Sequence, residues 1–141
     1  MQVENILQSK GRAVETVTAR TTIAEAVEVL NRHRIGAVVV MEGGRVAGIL
    51  SERDIVRHLG KDWGGLAGRP VSDVMTKNVV TTGKRATVAE LMERMTEHRI
   101  RHIPVVEAGE LVGIVSIGDV VKRKIEETEQ EAIALKEYIA S

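Results

Sequence analysis

The chain has no cysteine and no phenylalanine, and only one tryptophan, one tyrosine and two prolines among 141 residues. Without cysteine it can form no disulfide, thiolate nucleophile or Cys-ligated zinc site, a usage that suits a reducing compartment. At 1% aromatic content it offers unpaired bases almost nothing to stack on, which argues against single-strand nucleic-acid binding. Net charge is missing as well: 20 basic side chains face 20 acidic ones, whereas a dedicated nucleic-acid binder needs a basic surface. Long hydrophobic runs are also absent. The longest, such as Ala37 to Met41, are strand-sized and far short of a membrane span. Met1 to Arg12 has no signal-peptide core. These absences predict a cytoplasmic protein that partners neither nucleic acid nor membrane.

What is present is 43% hydrophobic and 28% charged residues, the composition of a globular chain. The length fits one domain, or two small motifs sharing a core. The zero net charge is a sum of unlike parts: residues 1–124 carry 19 basic and 15 acidic side chains, and residues 125–141 carry one and five. A mildly basic body thus precedes an acidic tail.

The most informative feature is an internal repeat. Displaced by 65 positions, Thr22 falls on Thr87, Glu25 on Glu90 and His33-Arg34-Ile35 on His98-Arg99-Ile100. Gly44 falls on Gly109, Gly48-Ile49 on Gly113-Ile114, Ser51 on Ser116 and Asp54 on Asp119. Two copies are too few for a solenoid and predict two motifs packed face to face about a pseudo-two-fold axis. In each copy a Thr-x-x-Glu capping box (Thr22 to Glu25, Thr87 to Glu90) opens a helix. Its apolar face is Ile23, Val27 and Leu30, or Val88, Met92 and Met95, and it ends near His33 or His98. A β-branched run (37–41 or 102–106), a glycine turn and a second strand (45–50 or 110–115) follow. Ser51 and Ser116 then cap another helix, with Asp54 and Asp119 at its third position. Extended pieces at 15–18 and 80–82 precede the first helices. Each copy is therefore β-α-β-β-α, an α+β (α/β-type) arrangement.

The predicted division is residues 1–70 (first motif, N-terminal segment and linker), 71–124 (second motif) and 125–141 (C-terminal helix). The linker, Gly60 to Pro70, is marked by glycines and a proline, and Ser72 to Met75 reads as one capped turn. Trp63 in that linker would cover the end of the core, close over a ligand or wedge into a subunit contact. From Val120 towards Ala140 no Gly or Pro interrupts a helix whose Val121, Ile125, Thr128, Ala132, Leu135 and Ile139 form a heptad-like seam. That seam suits docking to a partner subunit.

Each copy ends in Gly-apolar-apolar-Ser-x-x-Asp, residues 48–54 and 113–119, and the second contains Ile103-Pro104-Val105-Val106. With the full-length duplication, this resembles a tandem pair of CBS domains, the module named after cystathionine β-synthase, over roughly residues 13 to 124. The resemblance implies a regulatory, usually homodimeric fold binding adenosine-containing ligands (AMP, ADP, ATP, NAD or S-adenosylmethionine) between the motifs. It implies Asp54 and Asp119 as ribose acceptors and Ser51 and Ser116 as phosphate-side hydroxyls. Backbone near Val17, Val38, Thr82 and Ile103, beside Pro104, would contact adenine, between aliphatic walls such as Val17, Val38 and Ile103. A basic pair at Arg101 and His102 would face phosphate, with Arg53 as a further phosphate contact.

Elementary chemistry points the same way. A carboxylate accepts two hydroxyl hydrogen bonds at once, matching a vicinal diol, and a helix N-terminus favours phosphate. Ser-x-x-Asp is equally a plain helix cap, and one residue can serve both roles. The first copy has Gly36 and Ala37 in place of Arg101 and His102, and Gly118 replaces Arg53 in the second, so the two clefts should differ. Arg34 and Arg99 read as solvated helix-end charges. His98 and His102 are four apart, but Pro104 forces extended geometry just after them, which argues against a metal pair. No phosphate loop of Walker type, G-x-S-x-G or H-E-x-x-H occurs, so the chain reads as no enzyme. A nucleotide sensor acting on an effector protein, and a structural homodimerisation or adaptor module without obligatory ligand, are the two remaining functions.

Overall fold

The computed structural model describes residues 1–141. Helix α1 (Val3–Lys10) precedes the first motif: β1 (Thr16–Thr18), α2 (Ile23–His33), β2 (Ala37–Glu42), β3 (Arg45–Ser51) and α3 (Glu52–Leu59). Two 3-10 turns, Leu66–Gly68 and Val71–Asp73, lead to the second motif: α4 (Val88–His98), β4 (His102–Glu107), β5 (Glu110–Ser116) and α5 (Ile117–Ala140). The expected α+β duplication is present, with a long C-terminal helix.

The repeat extends to backbone detail. α2 and α4 both end on an arginine in the left-handed conformation, Arg34 (φ 52) and Arg99 (φ 54). Both hairpins are antiparallel and carry a register shift at matching places, Val40/Met41 and Val105/Val106. Glu52 N donates to Gly36 O, and its counterpart Ile117 N donates to Arg101 O. Thr87 and Glu90 form the complete capping box, whereas Thr22 accepts from the Glu25 amide without the return bond. The helix faces are turned slightly from the expected ones: Ala26 and Leu91 are buried, and Val27 and Met92 only flank the cores.

One half departs from the repeat for a stated reason. β1 pairs in parallel with β2, and Val39 N donates to Glu15 O. The counterpart of Val39 is Pro104, which has no N–H to give. The extended piece at 80–82 accordingly reduces to a single bridge, Thr82 to Val105, and the second sheet keeps two strands.

The cores are exchanged between the halves. α1, grouped by sequence position with the first motif, buries Val3, Ile6 and Leu7 in the second core with Val88, Leu91, Ile103, Val105 and Val115. Leu66, Val71 and Val74, which lead into the second motif, complete the first core with Ile23, Leu30, Val38, Val40 and Leu50. The backbone bonds match: Val71 N donates to Thr21 O, and Val3 N to Ala86 O. Each intruding segment lies on a strand glycine. A Cβ on Gly48 would stand 2.5 Å from Met75 Sδ, and one on Gly113 2.6 Å from Leu7 Cδ2. The glycines therefore admit the crossing segments.

One expectation fails in this region. Trp63 does not cover the core: it is 79% exposed, because Leu66 already fills that end while the Gly65 amide bonds Asp62 Oδ1 and turns the loop outward. The α5 seam is not buried within the chain either. Val120 is the last buried residue, Val121, Ile125, Leu135 and Ile139 are exposed, and every residue from Thr128 onward is exposed. No helix is long and apolar enough to cross a membrane.

Burying three aliphatic side chains contributes about 4–9 kcal/mol before entropy, comparable with the whole stability of a small domain. Leu7→Ala is therefore expected to cost about 2–5 kcal/mol, read as a lower urea midpoint. A change below about 1 kcal/mol would show that α1 is dispensable to the second core.

Candidate functional site

The end of β3 and the start of α3 set the centre of the site. β3 alternates: Leu50 turns into the first core, and Ile49 onto the opposite face. Ser51 then leaves the strand and caps α3. Its amide and Oγ both donate to Asp54 Oδ2, at 3.0 and 3.1 Å, and its Oγ accepts from the Asp54 amide at 3.3 Å. Asp54 is only 9% exposed. Its other oxygen, Oδ1, meets only the Thr76 hydroxyl, at 3.3 Å, so a buried carboxylate retains accepting capacity.

Around it lies a cleft of about 420 Å³ between the two halves, bounded by Gly36, Ile49, Ser51 to Asp54, Arg57, Thr76 and His98 to His102. Arg53, Arg57, Arg99 and Arg101 all border it, and none of the four forms an ion pair. Glu52 and Asp54 are the only carboxylates on the rim, so cationic charge is in excess. Such a lining, with an acceptor for hydroxyls at its floor, recognises an anion attached to a polyol. A second groove of about 650 Å³, between Met1, Asn5 and α5, is lined by Glu127 and Glu131, the wrong charge for a phosphate.

His102, from the second half, packs against Gly36 of the first. Its imidazole fills the space left by Gly36: a Cβ there would lie 3.3 Å from His102 Cε1. Burial pushes the imidazole below its ordinary value of 6.5. Glu52 and Asp119 oppose the shift, and Lys10 and Arg101 reinforce it.

Of the residues singled out in the sequence, the cleft brings together Ser51, Arg53, Asp54, Arg101 and His102. It does not bring in Val17, Val38, Thr82, Ile103, Pro104, Ser116 or Asp119. The side chains of Val38 and Ile103 cannot form aliphatic walls, because both are wholly buried in the helix-facing cores. The apolar walls are instead Ile49 and Ile100. Thr82 and Val17 are buried at matching sheet positions, where Thr82 donates its amide to Pro104 O. Asp119 repeats the Asp54 cap, bonding the Ser116 amide at 2.8 Å and Oγ at 3.0 Å, but is also held by Lys10 at 2.8 Å.

Arg57, Arg99, Thr76 and Glu52, with the walls Ile49 and Ile100, also border the cleft. Arg57 is one helical turn beyond Arg53 and so shares its face, a signal available in the sequence. Arg99, the exposed C-cap of α4, also borders the cleft. Thr76 and Glu52 carry no local signal.

The lowered imidazole gives stability a pH dependence. Below 6.5 the unfolded chain takes up a proton that folded His102 resists, so stability falls as pH drops through that range and is unaffected by this group above it. The loss between about pH 7.5 and about pH 5.5 should therefore be smaller in His102→Gln than in the unsubstituted protein, compared by urea midpoints. Equal losses would contradict the assignment.

Comparison with known proteins places this geometry in a family. The CBS domain model matches residues 6–61 and 71–126. The mitochondrial CBS domain-containing protein CBSX3 of Arabidopsis thaliana is 34% identical over 97% of this chain and 71% of its own length. The CBS-domain protein ATU1752 of Agrobacterium tumefaciens superposes with a TM-score of 0.86 at 46% identity, covering 88% of this chain and 99% of that one. Two further solved structures hold ligands. The CBS domain pair of protein MJ0100, in complex with 5′-methylthioadenosine and S-adenosyl-L-methionine, has a TM-score of 0.80 at 25% identity over 90% of this chain and 98% of its own. The Pyrobaculum aerophilum CBS domain protein PAE2072, complexed with AMP, has a TM-score of 0.74 at 30% identity over 84% and 89%. With both halves matched and the whole fold shared, this chain belongs to the CBS domain family as a tandem CBS pair.

Proposed function

We propose that this protein is a non-catalytic sensor that binds an adenosine-containing nucleotide (AMP, ADP, ATP or NAD) in the Asp54 cleft and signals its occupancy to an effector protein in the cytoplasm. The observation that carries the reading is the pairing of a buried carboxylate with spare accepting capacity and four guanidinium groups without ion-pair partners. Asp54 would take the ribose hydroxyls, Ser51 would lie on the phosphate side, and Arg53, Arg57, Arg101 and His102 would take the phosphates. Ile49 and Ile100 would flank the adenine. The AMP in the P. aerophilum protein and the adenosine compounds on MJ0100 support this ligand class.

A second reading, homodimerisation through α5 with no obligatory ligand, draws on the exposed apolar residues Val121, Ile125, Leu135 and Ile139. The two are compatible, and a sensor that dimerises is the version proposed.

A thermal-shift screen with AMP, ATP, NAD and S-adenosylmethionine tests the sensor. A ligand at about 100 times its dissociation constant adds about 2.7 kcal/mol, a rise of several degrees. If none of the four moves the melting point, the sensor reading is wrong. Asp54→Ala removes charge-assisted bonds worth about 1.5–3 kcal/mol and should weaken binding about tenfold to a hundredfold. Unchanged affinity in a folded variant would refute the ribose assignment.

A further inference from the structure

One side of α5 meets the rest of the chain. Val120 is buried there, Arg123 donates to Asn5 O at 3.2 Å, and Glu127 pairs with the Met1 ammonium at 3.2 Å. At 3.6 residues per turn, the seam of Val121, Ile125, Thr128, Ala132, Leu135 and Ile139 lies more than a quarter turn from that side. All six are exposed, and the large hydrophobes Val121, Ile125, Leu135 and Ile139 are 43%, 54%, 59% and 74% exposed. The chain leaves this stripe open, and a stripe of this period is the contact face of a two-stranded coiled coil. The CBS model ends at residue 126, so the seam from Thr128 onward lies outside the matched motifs.

The flanks of the seam say what covers it. With Ile125, Ala132 and Ile139 at heptad position a and Val121, Thr128 and Leu135 at d, the charged flanking residues are Lys124 and Glu131 at g and Lys122, Glu129 and Lys136 at e. In a parallel, in-register pair each g residue faces the e residue of the next heptad on the other helix. Lys124 then faces the partner's Glu129, Glu131 faces the partner's Lys136, and Lys122 faces the partner's Ile117 with no charge against it. Glu129, Glu131 and Lys136 form no ion pair within the chain. Lys124 has one contact, at 4.0 Å, with Glu127.

The opposite alignment is penalised. Antiparallel pairing sets e against e and g against g. With the whole seam overlapped, Glu129 would meet the partner's Glu129, Glu131 the partner's Glu131, and Lys122 the partner's Lys136. Like charges in these places select against the arrangement. Sliding one helix by a heptad in either direction relieves the repulsion. It also takes either Val121 and Ile125 or Leu135 and Ile139 out of the contact.

We propose that α5 is a self-recognition surface: two copies of this chain pair through it, parallel and in register, with Lys124 on the partner's Glu129 and Glu131 on the partner's Lys136. This rests on the dimerising version of the reading above and adds the surface, its orientation and the charges that select it.

Because the chain has no cysteine, a single introduced thiol reports the pairing. In the parallel pair residue 139 meets its own copy, within disulfide reach. In every antiparallel alignment above it lies about 16 Å or more along the helix from that copy. The full chain carrying Ile139→Cys is equilibrated in a glutathione redox buffer and read by non-reducing gel. The expected product is a disulfide-linked species of twice the 15.4 kDa chain mass, absent with Glu137→Cys on the far side of the helix. Lys124→Glu with Lys136→Glu, and Glu129→Lys with Glu131→Lys, are then each added to Ile139→Cys; all four positions are exposed, so folding is spared. Each charge variant alone should lose the disulfide, and an equimolar mixture of the two should regain it as a mixed dimer. Equal linking at residue 137, a disulfide indifferent to both charge variants, or no disulfide in a chain that sediments as two copies would each overturn the α5 pairing and leave dimerisation standing. Sedimentation as one copy at high concentration would sink both, and the nucleotide screen would still decide ligand binding on its own.

Discussion

The structure depends on one exchange of apolar segments. Neither β-α-β-β-α unit closes its own core. α1 seals the second unit with Val3, Ile6 and Leu7, and the stretch after α3 seals the first with Leu66, Val71 and Val74. The exchange needs the two strand glycines, since a side chain at Gly48 or Gly113 would meet the crossing segment at about 2.5 Å. Because each half is completed by chain from beyond its own repeat, the halves cannot separate without uncovering both cores. The geometry between them, on which any cleft relies, is thereby fixed.

The same exchange makes the clefts unequal. The segment that seals the first core continues into Thr76, a neutral hydroxyl beside Asp54. The one that seals the second ends in Lys10, a cation on Asp119. A duplicated motif has thus kept its carboxylate twice, while Arg53, Arg101 and His102 are replaced by Gly118, Gly36 and Ala37 in the other copy. In the first half the carboxylate stands beside a neutral hydroxyl and four arginines without ion pairs, and in the second it is paired with Lys10. Two related CBS pairs hold adenosine compounds, and the Asp54 side carries the charge pattern that such a ligand would meet.

Much of the fold was legible because its signals are local. The Thr caps, the β-branched runs, the glycine turns and the Ser-x-x-Asp ends recur at fixed spacing, and the uninterrupted final stretch reads as the helix it forms. α1 was not legible. Its three apolar residues sit in a short, otherwise polar stretch, and the surface they cover is built from residues 88–120. The truncated strand of the second half follows from one residue, Pro104, whose missing N–H breaks the pairing its counterpart Val39 makes. In the site, Ser51, Arg53, Asp54, Arg101 and His102 line one cleft. Val38 and Ile103 point into the cores, whereas Ile49 and Ile100 reach the cleft only through the placement of one half against the other.

An amide-resolved NMR titration with AMP tests the central claim most directly, because it reports both carboxylate ends in one sample. The account predicts shifts centred on Ser51 to Asp54 and Arg99 to His102. Shifts confined to Ser116 to Asp119, or none at saturating AMP, ATP or S-adenosylmethionine, would contradict it.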